Sequence, residues 1–225
     1  MSDVLVSPPA LSADLSPKRR QVVDAATELF LAHGYGAVSM DAVARAAGVS
    51  KATLYAYFAS KDLLFATIVR DRGLSNQLNE SLFPAHVTDL RAAMEAIGRR
   101  IMTFMLQERT LAIYRIALAD SARFPELGRA FFDAGPGKFC TWAEHWMATQ
   151  QAAGLIRAAD LNVATHQFMA LLRSGVFLRA SLSLPPAPAE AEIEATVRSA
   201  VDTWLRAYGT GAAPEPGFDA PSGCA

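Results

Sequence analysis

Five side chains rich in hydrogen-bonding groups, Ser50, Lys51, Thr53, Tyr55 and Tyr57, fall within eight consecutive residues of the run GVSKATLYAYFASKDLLF at 48–65. Hydroxyls and an ammonium at this density suit a partner crowded with acceptors. Phosphate oxygens take such donors regardless of sequence, whereas base edges take them selectively. The spacing puts these groups on one side and at the start of a helix barely two turns long, bracketed by Gly48-Val49-Ser50 and Ala59-Ser60. A helix that short is unstable alone in water, so its other side must pack against neighbours.

Those neighbours are readable in the flanking sequence. Ser16-Pro17 is an N-cap followed by proline at the first helical position, and Val22, Val23, Ala26, Leu29 and Phe30 recur on one face until Gly34 offers a left-handed stop. Ser39 caps a second, very short helix with Asp41 in its first turn, ended by Gly48. Ser50 caps a third over about Lys51 to Phe58, and Ser60 a fourth predicted from Lys61 to about Leu82, closed by Pro84. The second and third have the layout of a helix-turn-helix, with Ala42, Val43, Ala46, Val49, Leu54 and Phe58 predicted to face inward. The free N–H groups at the third helix's capped start add an anion site. Tyr55 and Tyr57 also admit a plainer role as half-buried packing residues, and Lys51 and Lys61 as solvated charges; Leu54 and Phe58 read as core.

The 225-residue chain is 52% hydrophobic and 19% charged, the composition of a soluble globular protein, with a net charge of −1. Between residues 17 and 61, however, six basic residues (Lys18, Arg19, Arg20, Arg45, Lys51, Lys61) face three acidic ones (Asp24, Glu28, Asp41). A basic head on an acidic body hints at a polyanion partner. Further helices are predicted at 88–107, 110–122, 125–132, 136–153, 161–182 and 188–208, with no strand signal, giving an all-α chain. Its expected domains are a mobile arm at 1–15, a helix-turn-helix unit at 16–62, a larger helical unit at 63–208 and a mobile tail at 209–225. No apolar run reaches membrane-spanning length and the first 15 residues lack a secretory pattern, so a cytoplasmic location with no membrane partner is expected.

Catalytic and metal-binding patterns are missing. His33, His86, His145 and His166 show no HExxH or paired-cysteine spacing, and no G-x-S-x-G elbow or P-loop occurs. Neither an enzyme, a cofactor nor a metal site is expected. Cys140 reads as a small core residue rather than a redox sensor, and Cys224 lies one residue from the end. The larger helical part is rich in Met and aromatic residues, most of them necessarily core; flexible methionines beside rigid rings can also line an adaptable apolar cavity. The candidate lining is Met102, Phe104, Met105, Tyr114, Trp142, Trp146 and Phe168, with His145 either a polar contact to a ligand or, more simply, a surface or satisfied core histidine.

The run "SMDAVARAAGVSKATLYAYF" and the following "ASKDLL" resemble the DNA-binding region of the tetracycline-repressor (TetR/AcrR) family of bacterial transcription regulators. Ala44, Ala47, Gly48, Val49, Ser50, Lys51, Thr53, Leu54, Tyr55, Tyr57, Phe58, Ser60, Lys61 and Leu64 match its pattern. The resemblance implies that Ser39 holds a phosphate and that Ser50 and Lys51 open the recognition helix. Thr53 and Tyr55 would then reach base edges or neighbouring phosphates in the major groove, while Tyr57 and Lys61 clamp the backbone. Arg45 adds a contact from the second helix. Ala52 departs from the glycine of many relatives; its methyl either hinders close approach of the sugar-phosphate or meets a thymine methyl.

Residues Arg115 to Phe131, "RIALADSARFPELGRAF", look like the C-terminal type of AefR-like regulators, several of which control efflux pumps. The resemblance implies a double-stranded DNA operator, a small hydrophobic effector and a homodimer, in a bacterial cytoplasm and at the nucleoid when bound to DNA. Dimerisation also follows from geometry, since two reading helices about 34 Å apart read a pseudo-palindrome. The family's interface, a four-helix bundle from the last two helices of each subunit, suggests Leu171, Ser174, Gly175, Leu178, Val197, Val201 and Trp204 as its residues. The function implied is a repressor released by its effector; the alternative is a constitutive dimeric DNA-binding protein without a small-molecule ligand.

Overall fold

Ser16, Ser39, Ser50 and Ser60 punctuate the start of the chain. In the computed structural model, which describes residues 16–71 and 78–211, each hydroxyl oxygen accepts a backbone N–H three residues on: from Arg19, Ala42, Thr53 and Leu63 respectively. The helices so capped are α1 (Pro17–Ala37), α2 (Met40–Ala46), α3 (Lys51–Tyr57) and α4 (Lys61–Val69). Gly34 interrupts α1 with φ 77°, as its position in the sequence suggests, and a single turn follows it.

The apolar faces of these four helices close on one cluster built around Val22, Phe30, Tyr35, Leu54, Phe65 and Ile68. Full burial of each large apolar side chain stabilises this unit by roughly 1.5–3 kcal/mol. In α2 the inward positions are Met40, Val43 and Ala44, with Ala47 one turn on, at helical spacing. Ala46, expected to face inward, falls on the opposite side and is exposed. The cluster also takes in Ile113 and Leu127 from beyond the first 62 residues.

The fourth helix is shorter than its periodicity suggests. Its α-helical part closes at Val69, Arg70 and Asp71 continue it as a wider helical turn, and it does not reach Leu82, where a separate 3₁₀ turn spans Glu80–Leu82, started by Asn79, whose Oδ1 accepts the Ser81 N–H at 3.0 Å. Residues 72–77 within the predicted span lie outside the described residues. Next come α5 (Leu90–Met105), α6 (Glu108–Asp120), α7 (Pro125–Ala134) and α8 (Pro136–Ala152), all close to their predicted bounds.

The predicted helix 161–182 is two: α9 (Leu161–Leu172) and α10 (Gly175–Ser181). The chain leaves helical geometry at Arg173 (ψ 19°) and Ser174 (ψ −161°), where a cap-favouring serine precedes a poor helix former. Last comes α11 (Glu190–Tyr208). A second cluster fills the space between α5, α8, α9 and α11, with Met94, Ile101, Met102, Phe168, Val201 and Trp204 at its centre. Gly98 sets how closely α5 and α11 approach, since a Cβ there would meet Val197 Cγ1 at 3.0 Å.

Among the described residues no strand forms, and the all-α expectation holds; one isolated bridge pairs Ile156 with Gly209. That bridge corrects the expected tail at its first residues. Gly209 is buried, and its carbonyl accepts the Arg157 Nη2 donor at 2.7 Å. The arm at 1–15 and residues 212–225, Cys224 among them, lie outside the described residues.

Candidate nucleic-acid interface and effector cavity

The α2–α3 turn depends on Gly48, whose φ of 61° favours glycine. It points α3 so that Leu54 is fully buried while Tyr55 is 50% exposed. Ser39, Arg45, Ser50, Lys51 and Ala52 are exposed on the same unit, and Thr53 is half-buried. The Ser50 and Thr53 hydroxyls lie 2.8 Å apart. Ser39 Oγ accepts the Ala42 N–H, leaving its own proton to donate to an acceptor. Lys51 Nζ pairs with Asp41 at 2.5 Å, both side chains solvent-facing. An exposed pair of this kind contributes about 0–1 kcal/mol, so the ammonium can exchange the carboxylate for a phosphate at little cost.

Two members of the expected set sit differently. Tyr57 is half-buried; its phenol oxygen accepts from Ser16 Oγ at 3.2 Å and its ring lies beside Phe58, tying the start of α1 to α3. Its geometry follows the packing alternative. Lys61, expected as a backbone clamp, donates to the Tyr35 and Val38 carbonyls at 2.9 and 3.0 Å, with Nζ 4.0 Å from the Tyr35 ring centroid. The clamp role is corrected to an internal one because the ammonium already satisfies carbonyls around the end of α1. Burial lowers the Lys61 pKa, and the Asp120 and Glu126 carboxylates partly offset this. One edge of Lys61 still borders a shallow cleft shared with Ser39 and Tyr55.

Asp120, the last residue of α6, reaches the same corner. Its Oδ2 accepts from the Tyr35 and Gly36 backbone N–H groups at 2.9 and 3.0 Å, and Phe124 packs edge-on against the Tyr35 ring. Burial raises the Tyr35 pKa, aided by Asp62, Glu126 and Asp120. This latch between the head and the later helices was invisible in the sequence, since 85 residues separate Tyr35 from Asp120.

A cavity of about 100 Å³ opens where α4, α5, α6, α8 and the α9–α10 break converge. Three expected residues, Phe104, Met105 and Tyr114, line it. Phe131, Phe139, Phe177, Val69 and Arg173 also line it and were not singled out. Phe131 and Phe139 carried the general aromatic signal; nothing local marked Val69 or Arg173.

The other expected lining residues are elsewhere. Met102 is fully buried in the core of the later helices, where α5 turns it away from the cavity. Trp146, whose Nε1 donates to the Pro84 carbonyl, and Phe168 border a separate void of about 10 Å³ that at most one water would fill. Trp142 stacks under Lys138, and His145 is exposed on the outer side of α8. Cys140 is buried and its thiol pKa is raised by that burial, with Arg173 partly opposing; this is the core cysteine expected.

Of the expected interface residues, Val197, Val201 and Trp204 are corrected. At 2%, 0% and 1% exposure they pack inside their own subunit, and Trp204 Nε1 donates to the Ala164 carbonyl at 2.8 Å. The face of α11 that looked like a seam is the one its own α5 and α9 cover. Ser174, Gly175 and Leu178 are exposed and Leu171 is half-buried.

Residues 22–68 match the model of the tetR family of bacterial regulatory proteins, and residues 92–210 that of the C-terminal domain of AefR-like transcriptional repressors. The chain is 30% identical over 210 residues to the HTH-type transcriptional regulator BetI of Rhizobium meliloti, spanning 88% of this chain and 95% of BetI. It is 36% identical over 80 residues to MftR of Mycobacterium tuberculosis, named for regulating mycofactocin biosynthesis, but spans only 33% of that protein. Among solved structures, a TetR-family regulator from Mesorhizobium loti is 26% identical, with a TM-score of 0.74 over 88% of this chain and 99% of its own. The flavonoid-responsive regulator FrrA is 34% identical, with a TM-score of 0.71 over 87% and 98%.

Proposed function

Because this chain belongs to the TetR family of DNA-binding transcription regulators, which are not enzymes, we propose that it is a dimeric repressor released from a pseudo-palindromic operator by a small apolar effector. Ser39, Arg45, Ser50 and Lys51 hold phosphates in this reading, while Thr53 and Tyr55 meet base edges in the major groove. Ala52 lies against the groove wall. The observation that carries the effector half is Val69. This residue ends α4, belongs to the head's apolar cluster and also lines the cavity.

In this reading an occupant that pushes the cavity wall outward moves Val69, which passes that displacement to the head. The two reading heads of a dimer then no longer match their half-sites. Such a ligand releases DNA only by binding the displaced state more tightly, since equal affinity for both states leaves the equilibrium unchanged. FrrA responds, by its name, to flavonoids; an aromatic effector also suits the rings of Phe104, Tyr114, Phe131, Phe139 and Phe177 on this cavity.

The dimer forms in this reading through the outward side of α9 and α10, where Ser174, Gly175 and Leu178 are exposed and Leu171 half-exposed, with Leu182 and Leu184 just beyond. The regulated genes encode an efflux system in this reading, a choice that rests on the resemblance to AefR-like regulators alone. The test is to recover genomic fragments bound by the full chain, footprint them, and titrate aromatic compounds into the complex. Two protected half-sites and release by at least one compound are the expected result. Protected half-sites that no compound releases would favour the constitutive alternative.

A further inference from the structure

The cavity is apolar on almost every side, yet among the described residues that line it Arg173 carries a charge and Thr110 and Tyr114 are the polar companions. Arg173 sits at the α9–α10 break, half-buried, and its Nε has neither solvent exposure nor a hydrogen-bond partner. Among the described residues no ion pair involves its guanidinium. Nearby arginines differ in that their charge is engaged: Arg115 donates to the Ser181 and Ala180 carbonyls at 2.7 and 2.6 Å, and Arg179, whose Nε is likewise buried without a partner, bonds both oxygens of Glu192 through Nη2 at 2.9 Å. A buried guanidinium donor without an acceptor is costly, so a fold that keeps one at a cavity wall gains when a ligand supplies the acceptor.

We infer that the effector is a compact aromatic carboxylate, its ring held among Phe104, Phe131, Phe139 and Phe177 and its carboxylate on the guanidinium of Arg173. The inference rests on reading the cavity as the effector site. Aromatic walls and a cavity of about 100 Å³ favour a single ring over a long chain, a cavity of roughly 150 Å³ being enough for benzene. A carboxylate is favoured over a phenolate because its two oxygens match the planar fork of the guanidinium, which a single oxygen does not.

Isothermal titration of the full chain with cinnamate and cinnamamide, isosteres that differ in the anionic group, tests this. Cinnamate is expected to bind about tenfold or more tightly than the amide. Arg173→Met should remove that advantage while leaving amide affinity within about twofold, and Arg173→Lys should retain part of it. Circular dichroism and DNA affinity check that each variant folds. Equal binding of acid and amide to the native chain, or equal weakening of both by Arg173→Met, overturns the inference but leaves the cavity standing as an effector site. Binding of neither probe at millimolar concentration overturns both.

Discussion

The head formed by α1–α4 and the body formed by α5–α11 use side chains in opposite ways. In the head, the residues assigned to DNA are mostly on the outside, at Ser39, Arg45, Ser50, Lys51 and Tyr55, while the buried cluster only fixes their direction. In the body, the residues assigned to the effector are inside, drawn from helices far apart in the chain, and Val69 and Asp120 are where the two regions meet. A surface reader is specified by a short local pattern; a cavity exists only once non-local packing is complete. The same residue type therefore means different things in the two regions: Lys51 faces solvent, whereas Lys61, ten residues later, is committed to backbone carbonyls.

The comparison breaks most visibly at the two cores. Trp204→Ala should cost about 3–5 kcal/mol and Leu54→Ala about 2–5 kcal/mol in denaturant unfolding. If Trp204 instead served only a subunit interface, its loss would leave the stability of a monomeric form unchanged. Next in size, Lys61→Met should destabilise the protein by about 1–3 kcal/mol by stranding the Tyr35 and Val38 carbonyls. A variant of native stability with a salt slope reduced by one unit would restore the clamp role. Lys51→Met sharpens the contrast from the other side: stability should stay within about 0.5 kcal/mol, while the slope of log affinity against log salt falls by roughly one for all DNA sequences.

The smallest effect is at the start of α11. Glu192 accepts from the Ala189 N–H and from Arg179, which hold its pKa below the ordinary 4.5. Its contribution is therefore present above pH 4.5 and is lost as pH falls through the lowered value. The Ala189 amide resonance should titrate with a midpoint below 4.5, and a midpoint at or above it would contradict the bond.

Much of the head was legible because caps, a left-handed glycine and helical spacing act over a few residues. Ser16, Ser39, Ser50, Ser60, Gly34 and Gly48 all do what their positions suggested. Ala46 was misread because in so short a helix the inward face is set by Met40 and Val43, not by apolarity alone. In the body, helix positions were legible but partners were not. Periodicity identifies Val197, Val201 and Trp204 as one apolar face without saying whether the same subunit or another covers it. Arg173 looked like an interior residue of a long helix until the break at Ser174 brought it to the cavity wall.

The central claim is that the outward side of α3 reads duplex DNA. Its most direct test is the ratio of affinities for a recovered operator fragment and a scrambled duplex, measured over a range of salt for the native chain, Thr53→Ala and Tyr55→Ala. Each variant should lose about 1–3 kcal/mol of discrimination with a nearly unchanged salt slope. An undiminished ratio in both variants, or no salt-dependent affinity for any duplex, would contradict it.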